Sequence, residues 1–197
     1  MDKTAREFKA VEADLHRDVY TAAIDEHERD MGTIRVKREK DNVLMLINFT
    51  GPDAKSVSLD GKELSVYYPK IKTVQKYDIS NHRNEVEQFL LLGFGATSAE
   101  LQMSYDVTFI GMEQVSGMNT WHLQLVPKSK EVLQHLKKAE LWIGEMNGLP
   151  MQQKFFMSGN GDYELVTYSN MKFNPSFTEG DMKLKTPKGV TIQHPQL

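Results

Sequence analysis

Histidine and carboxylate side chains concentrate in one short stretch, Asp25–Asp30, which reads Asp-Glu-His-Glu-Arg-Asp. Such side chains bind metals or transfer protons, but a metal shell needs further ligands at matching spacing. His122 alternates with large apolar residues, and the remaining histidines are scattered at positions 16, 82, 135 and 194. We therefore expect a solvated loop at 25–30, His122 on the outer face of a strand, no metal site and no catalytic residue.

A second stretch, Gly93-Phe94-Gly95, has the first two glycines of a dinucleotide-binding loop. That loop follows a strand and has a third glycine, whereas these glycines follow a leucine-rich segment of helical character. Two alternatives remain for Gly93, a flexible joint between two helices or a simple helix C-cap. Nucleophile elbows, P-loops and His-Glu-x-x-His motifs are absent from the sequence, which predicts a protein that is not an enzyme and needs no cofactor.

The composition narrows the class of protein further. The formal net charge is −3, so the chain has no basic surplus for nucleic acid. The absence of cysteine excludes disulfides and thiolate chemistry. The longest apolar run, Phe89–Phe94, is far shorter than the ~20 residues that span a bilayer. No signal peptide is visible, although a removed leader would leave no trace. At 197 residues the chain is predicted to form a single domain, 1–197.

Helical periodicity predicts an amphipathic helix over 3–17 and a second helix over 84–92 that ends at Gly93. Thr97-Ser98-Ala99-Glu100 has the pattern of a capping box and predicts a short helix through about Met103. One or two further helical turns are expected within 130–138.

The rest of the chain has the pattern of strands and tight turns. Turns are predicted at Asp60–Gly61, Ser116–Gly117, Asn147–Gly148 and Asn160–Gly161, and most prolines fall at predicted strand ends. A β-prone segment at 19–24 precedes the strand at 33–37. These features predict a mainly β (α+β) protein with a large antiparallel sheet, a sandwich or a barrel.

Two apolar segments leave the nature of the interior open. Residues 43–49 are almost wholly apolar, so a strand there must be covered on both faces. Leu90, Leu91 and Leu92 spread around the predicted helix, so a single packing surface cannot cover them all. Ordinary burial in the core explains both segments, and so does an apolar cavity of the kind that holds lipids or small molecules.

Short segments occur in a distinctive order along nearly the whole chain. They are Gly-Thr-Ile-Arg-Val-Lys-Arg at 32–38, Leu-Asp-Gly-Lys-Glu-Leu-Ser-Val-Tyr-Tyr-Pro at 59–69, Gln-Phe-Leu-Leu at 88–91, Leu-Val-Pro-Lys at 125–128, Ala-Glu-Leu-Trp-Ile at 139–143, Tyr-Ser-Asn at 168–170 and Met-Lys-Leu-Lys-Thr-Pro-Lys-Gly-Val at 182–190. Together with the amphipathic N-terminal segment, this order resembles the LolA family of outer-membrane lipoprotein carriers.

The resemblance implies an incomplete antiparallel β-barrel whose concave face is closed by helices that act as a lid. It also implies a soluble, monomeric periplasmic carrier of acylated lipoproteins. Such a carrier receives its cargo from an inner-membrane ABC transporter of the LolCDE type and delivers it to an outer-membrane acceptor.

The resemblance and strand alternation together suggest which residues bind and release cargo. The predicted lining of the acyl-chain cavity is Met45, Ile47, Phe49, Leu64, Val66, Tyr68, Phe89, Leu92, Phe109 and Trp142. Lid control is assigned to Arg38, Leu91 and Gly93, where Arg38 matches a family arginine that bonds lid backbone. Here Glu39 follows Arg38 where the family commonly has proline, so Glu39 could pair with Arg38 and compete with the lid.

Two other functions are alternatives to the carrier. One is a lipid- or glycolipid-binding protein of the same scaffold that is anchored at a membrane. The other is a lipoprotein-sensing module that binds a membrane regulator.

Overall fold

A computed structural model describes residues 1–39, 42–159 and 161–195 of the chain. The helices are α1 (Asp2–Glu7), α2 (Arg83–Leu90), α3 (Ser98–Ser104) and α4 (Lys130–His135), with 3-10 turns at Pro69–Ile71 and Glu179–Asp181. The strands are β1 (Ala10–Thr21), β2 (Glu26–Glu39), β3 (Asn42–Thr50), β4 (Ser56–Asp60), β5 (Glu63–Tyr68), β6 (Thr73–Asp78), β7 (Tyr105–Val115), β8 (Met118–Pro127), β9 (Leu136–Gly144), β10 (Pro150–Met157), β11 (Tyr163–Phe173) and β12 (Thr191–Gln193).

The described strands form one 12-stranded sheet that is not closed, in the order β12-β6-β5-β4-β3-β2-β1-β11-β10-β9-β8-β7. The pairing is antiparallel wherever its register is defined except between β12 and β6, which run parallel. The prediction of a mainly β protein with an incomplete, largely antiparallel sheet and a few short helices is confirmed.

The chain folds as two compact units, each assembled from separate segments. Unit 1 comprises Met1–Phe8, Leu15–Arg29 and Leu91–Ser169, and unit 2 comprises Lys9–Asp14, Asp30–Leu90 and Asn170–Leu197. The single domain over 1–197 stays a prediction.

The predicted helix over 3–17 is wrong beyond its first turns. Helix α1 ends at Glu7, and β1 begins at Ala10. Val11, Ala13 and Leu15 are buried whereas Asp14 and His16 are exposed, which is the two-residue period of a strand. Val11 and Leu15 are four residues apart and therefore fit either period. The Lys9 carbonyl accepts a hydrogen bond from the Arg38 N–H at 2.7 Å. Hydrogen bonds between this segment and other strands stabilise the extended conformation rather than the helix.

The acidic stretch at 25–30 is exposed over residues 25–29, as predicted, but most of it is strand and not loop. Only Asp25 belongs to the turn, with φ of 52°, and β2 begins at Glu26. His27 Nδ1 lies 2.7 Å from Asp18 Oδ1, and Asp30 is only 6% exposed. Of the β-prone segment 19–24, only the part up to Thr21 is in a strand, because β1 ends there.

The predictions made from turn and helix-cap motifs agree better with the structure than the prediction of the N-terminal helix. Asp60–Gly61 joins β4 to β5 and Ser116–Gly117 joins β7 to β8, as predicted. The capping box at Thr97 is present, with Thr97 Oγ1 accepting from the Glu100 N–H at 3.2 Å. The other helices are shorter than predicted, since α2 ends at Leu90 and α4 ends at His135. Asn160, from the predicted Asn160–Gly161 turn, lies outside the described residues.

In unit 2, one face of β2 is covered by the segment that follows β11. The Arg35 guanidinium lies 5.5 Å from the ring centroid of Phe177 and donates to the Asp181 carbonyl at 3.2 Å. Arg35 Nε also donates to Glu12 at 2.7 Å, and the nearby Met182 is 6% exposed. The opposite face of the same strands carries the apolar residues described next.

Candidate functional site

The cross-strand register of unit 2 places many apolar side chains on one face of β2–β5. Residues directly opposite in an antiparallel pair point to the same side of the sheet, as do residues two apart along a strand. Met45 pairs with Val36 and with Leu59, and Leu59 pairs with Leu64. We call this side the Met45 face. Its apolar members are Ile34, Val36, Val43, Met45, Ile47, Phe49, Val57, Leu59, Leu64, Val66 and Tyr68.

The Met45 face is buried in its middle and partly open toward β4 and β5. Met45 is 0% exposed and Leu59 is 1% exposed. The half-buried apolar members of the face are Val43, Ile47, Val57, Leu64, Val66 and Tyr68. Leu46, on the opposite side of β3, is also buried, so this strand is covered on both faces at its centre, as its apolar sequence predicts.

All the predicted cavity residues on β3 and β5 therefore share one face. They are Met45, Ile47, Phe49, Leu64, Val66 and Tyr68. Arg38 pairs with Val43 and so belongs to the same face, at the end of β2, where it is exposed. Glu39 accepts a hydrogen bond from Lys37 Nζ at 2.6 Å, on the opposite side of the strand, rather than competing for Arg38.

The remaining predicted cavity residues have different environments. Phe89, on α2, is half-buried, as is Leu91. In unit 1, Leu92 is 3% exposed, whereas Phe109 on β7 is 59% exposed. Phe109 pairs with Leu123, which pairs with Leu141. We call this side of β7–β11 the Leu141 face.

Trp142, which is predicted to line the same cavity as Phe109, does not belong to the Leu141 face. It pairs with His122 and therefore points to the opposite side of the sheet. Its ring stacks on His122 with centroids 4.2 Å apart, and its Nε1 donates to Glu113 at 2.8 Å. Alternation could not reveal this, because Leu141, Trp142 and Ile143 are all apolar and all buried.

His122, Glu113 and Glu140 form a polar cluster around Trp142 that sequence reasoning missed. His122 has the strand orientation predicted for it, yet it is only 7% exposed. Its Nδ1 lies 2.9 Å from Glu113 Oε1, and its Nε2 lies 3.4 Å from Glu140 Oε2. Hydrogen bonds from Trp142 and His122 hold the pKa of Glu113 below its usual value. The cluster links β7, β8 and β9 and contains no hydroxyl or thiol nucleophile.

A turn at Leu91–Phe94 packs against the Leu141 face within unit 1. The Phe94 N–H donates to the Leu91 carbonyl at 2.8 Å, and Gly93 has φ of +82°. A Cβ on Gly93 would lie 3.1 Å from both Leu141 methyl carbons, so glycine is required for conformation and for space. Gly93 thus lies in a turn beyond the last helical residue, Leu90, and α3 begins only at Ser98.

Buried hydrogen bonds hold this turn to the sheet. Gln153, 2% exposed, donates from Nε2 to the Leu92 carbonyl and accepts at Oε1 from the Tyr168 hydroxyl at 2.8 Å. The Tyr168 ring meets the Phe94 ring edge-on, with centroids 5.1 Å apart. Burial raises the pKa of the Tyr168 phenol far above its ordinary value. A buried glutamine in a strand is the sequence feature that could have indicated this network.

In unit 2, a groove of about 380 Å³ is lined by charged and polar side chains, namely Asp60, Lys62, Glu63, Lys76, Tyr77, Asp78, Ser80 and His194. No cluster of three or more metal-binding side chains occurs in the described part of the chain. Among the helices of residues 1–39, 42–159 and 161–195, none has the length and apolar character needed to cross a membrane.

Comparison with known proteins gives structural likeness only. No protein-family model matches the sequence, and no curated protein sequence does. An uncharacterised conserved protein from Thermus thermophilus superposes with a TM-score of 0.61 at 12% identity, over 98% of this chain and 96% of that one. The lipoprotein LppX of Mycobacterium tuberculosis superposes with a TM-score of 0.51 at 11% identity, over 89% of this chain and 92% of LppX.

MucB is also similar, with a TM-score of 0.58 at 13% identity over 96% of this chain. The chain spans only 63% of the length of that MucB structure. MucB has also been solved in complex with MucA, in a structure from Pseudomonas aeruginosa. At these identities the likeness concerns the fold and not the activity. The open, mostly antiparallel sheet and its likeness to MucB and LppX confirm the expectation from sequence: the chain has a LolA-like fold.

Proposed function

We propose that the protein is a carrier that binds the acyl chains of lipoproteins on its Met45 face. The observation that carries this proposal is the row of half-buried apolar side chains on β3–β5, with Ile47, Leu64 and Val66 at its centre. These side chains have aliphatic surface left to bury, and they belong to a sheet that is not closed.

The energetics favour such a role for an open apolar face. Burying one methylene group is worth about 0.8 kcal/mol, so a protein that shields several acyl chains removes a large barrier to their passage through water. The LolA-like fold supports the proposal, because it provides a sheet that is not closed and that carries half-buried apolar side chains able to pack against acyl chains. MucB, solved with MucA, supports a protein-binding role for the same scaffold.

A carrier of this kind needs a segment that closes over the bound acyl chains, and it needs partners that load and unload it. Helix α2, with Phe89, is proposed to close over bound chains, and Arg38 at the end of the Met45 face is proposed to control the opening. Leu91 and Gly93, in the turn that follows α2, are proposed to fix the end of the chain about which this helix opens. The proposed location is the periplasm, where the carrier acts as a monomer. The proposed partners are a LolCDE-type ABC transporter of the inner membrane, which loads the carrier, and an outer-membrane acceptor, which unloads it.

Native mass spectrometry with lipid extraction, on protein purified from its own periplasm, tests the proposal. A co-purifying diacylglyceryl-modified protein or peptide is the expected result. A bound phospholipid or glycolipid would instead favour the membrane-anchored lipid-binding alternative. Protein that arrives empty and does not take up a triacylated peptide would exclude the carrier function.

Paired variants distinguish the Met45 face from ordinary core packing. Val66→Asp places a carboxylate among the half-buried apolar side chains and should weaken binding of a triacylated peptide at least about tenfold. Thr33→Asp places the same group on the opposite face of the sheet, because Thr33 is exposed and pairs with Asn48. This control should bind normally. A folded Val66→Asp variant with unchanged binding would remove the Met45 face from the site.

A further inference from the structure

An ion pair lies at the end of the Met45 face that is opposite Arg38. Asp30 alternates with Gly32 and Ile34 and therefore shares their side of β2, and Gly32 pairs with Phe49. Lys55 precedes β4 and alternates with Val57, which places it on the same side. Lys55 Nζ lies 3.9 Å from Asp30 Oδ2 and 5.3 Å from the Phe49 ring centroid. A cation and an anion thus border an otherwise apolar surface.

Lys55 still has hydrogen-bonding capacity. An ammonium group has three N–H donors, and a separation of 3.9 Å is too long for a direct hydrogen bond to Asp30. Lys55 Nζ forms this ion pair and contacts the face of Phe49. A hydrogen bond from Lys70, together with the charges of Lys70 and Lys55, lowers the pKa of the nearby Asp53 carboxyl group. The Lys55 side chain is 24% exposed, so its donors are accessible at the margin of the apolar face.

We propose that Lys55 and Asp30 form a subsite for the neutral polar head of an acylated ligand whose chain lies on the Met45 face. Lys55 donates to an ester or amide carbonyl of the ligand, and Asp30 accepts from a neighbouring hydroxyl or amide N–H. The inference rests on the proposed function and names the class of ligand, a glyceryl ester or N-acyl compound.

The same geometry disfavours a free fatty acid. A fatty-acid carboxylate bound to Lys55 would lie close to the carboxylate of Asp30, which is only 6% exposed. Like charges at close range repel, and the repulsion is least screened where water is scarce. A neutral ester accepts the same hydrogen bond from Lys55 without adding a second negative charge.

Binding of two ligands with the same acyl chain tests the subsite. Dissociation constants for monopalmitoylglycerol and palmitate are measured below their aggregation limits by isothermal calorimetry, for wild type, Lys55→Met, Asp30→Asn and Lys76→Met. Lys76 is the matched control, because it pairs with Glu63 at 2.9 Å but lies opposite Ser65, on the side of the sheet away from the Met45 face. Urea unfolding of each variant verifies that it is folded.

The expected changes differ in sign between the variants. Lys55→Met should raise the dissociation constant of monopalmitoylglycerol about tenfold, because the ligand loses one hydrogen bond from a charged donor. Asp30→Asn should lower the dissociation constant of palmitate severalfold, because it removes the carboxylate that repels the ligand. Lys76→Met should leave both constants within about twofold of wild type, since its ion pair with Glu63 is partly exposed and lies on the other side of the sheet.

The outcomes separate the two proposals. Wild type that binds both ligands, with constants unchanged in folded Lys55→Met and Asp30→Asn, would overturn the subsite and leave the carrier function standing. Wild type that binds neither these ligands nor a triacylated peptide would overturn both. If Asp30→Asn does not strengthen the binding of palmitate, repulsion between Asp30 and the ligand carboxylate is excluded as the reason why a free fatty acid is disfavoured.

Discussion

Replacing Gln153 with methionine tests the buried network that holds the Leu91–Phe94 turn to the sheet. Gln153 contacts the Leu92 carbonyl through Nε2 and the Tyr168 hydroxyl through Oε1. Methionine has a similar length and volume, so the variant removes both hydrogen bonds with little change in packing. The variant isolates the polar interactions from the shape of the core.

The expected loss of stability comes from the two buried polar groups that the Gln153→Met variant leaves without a hydrogen-bond partner. Leu92 and Tyr168 are each 3% exposed, so the carbonyl and the hydroxyl would lose their partner where water hardly reaches. Each buried polar group left unsatisfied costs about 1–3 kcal/mol, which gives a loss of about 2–6 kcal/mol. That is a large share of the ~5–15 kcal/mol that stabilises a typical domain.

A double-mutant cycle with Tyr168→Phe shows whether the two side chains act together. Tyr168→Phe alone should cost about 1 kcal/mol, and the double variant should cost less than the sum of the single ones, because the phenylalanine has no hydroxyl to leave unsatisfied. Gln152→Met is the matched control. Gln152 is half-buried, points to the other side of β10 and accepts one hydrogen bond from Thr167 at 3.2 Å.

Urea unfolding followed by circular dichroism and by tryptophan fluorescence measures these differences. Agreement of the two probes matters because the chain has two compact units, which could unfold separately. A folded Gln153→Met variant within about 0.5 kcal/mol of wild type, or strictly additive effects with Tyr168→Phe, would refute the network.

Further predictions concern the turn, an alkaline titration and the lid. Gly93→Ala should lower stability by about 1–3 kcal/mol, because φ is +82° and the new Cβ would crowd Leu141, whereas Gly111→Ala, with open space around it, should change the melting temperature little. Burial raises the pKa of Tyr105 to about 12, so the stability it contributes is complete below its unfolded pKa of about 10 and is lost as the pH rises toward 12. Tyr105→Phe should flatten urea stability between pH 10 and 12, and an unchanged slope would contradict the assignment. Arg38→Leu should change the rate at which a fluorescent triacylated peptide is released, and an identical rate would remove Arg38 from lid control.

Some of the fold could be predicted because its signals are local. The Asp60–Gly61 and Ser116–Gly117 turns depend on residues that tolerate positive φ, as Gly61 at 61° and Gly117 at 79° do. The Thr97 capping box needs only a hydroxyl and a carboxylate three residues apart. The resemblance that implies the LolA-like fold depends likewise on short segments in a set order.

The sequence also grouped the predicted site residues within each strand. Alternation places Met45, Ile47 and Phe49 together, and likewise Leu64, Val66 and Tyr68, since side chains two apart share a face. That the two sets lie on the same side of the sheet depends on the pairing of Leu59 with both Met45 and Leu64. This is a matter of register between strands, which the pattern within one strand does not contain.

Tertiary structure alone decided the outcome wherever two local patterns were equally good. Val11 and Leu15 fit both a helix and a strand, and hydrogen bonds to a distant strand made the segment part of the sheet. Leu141, Trp142 and Ile143 are apolar on both sides of β9, so alternation could not assign their faces. The partners of Trp142 are His122, 20 residues before it in sequence, and Glu113, 29 residues before it. The sequence by itself determined turns, caps and strand periodicity, whereas the choice of face came from long-range contacts that form only when the sheet assembles.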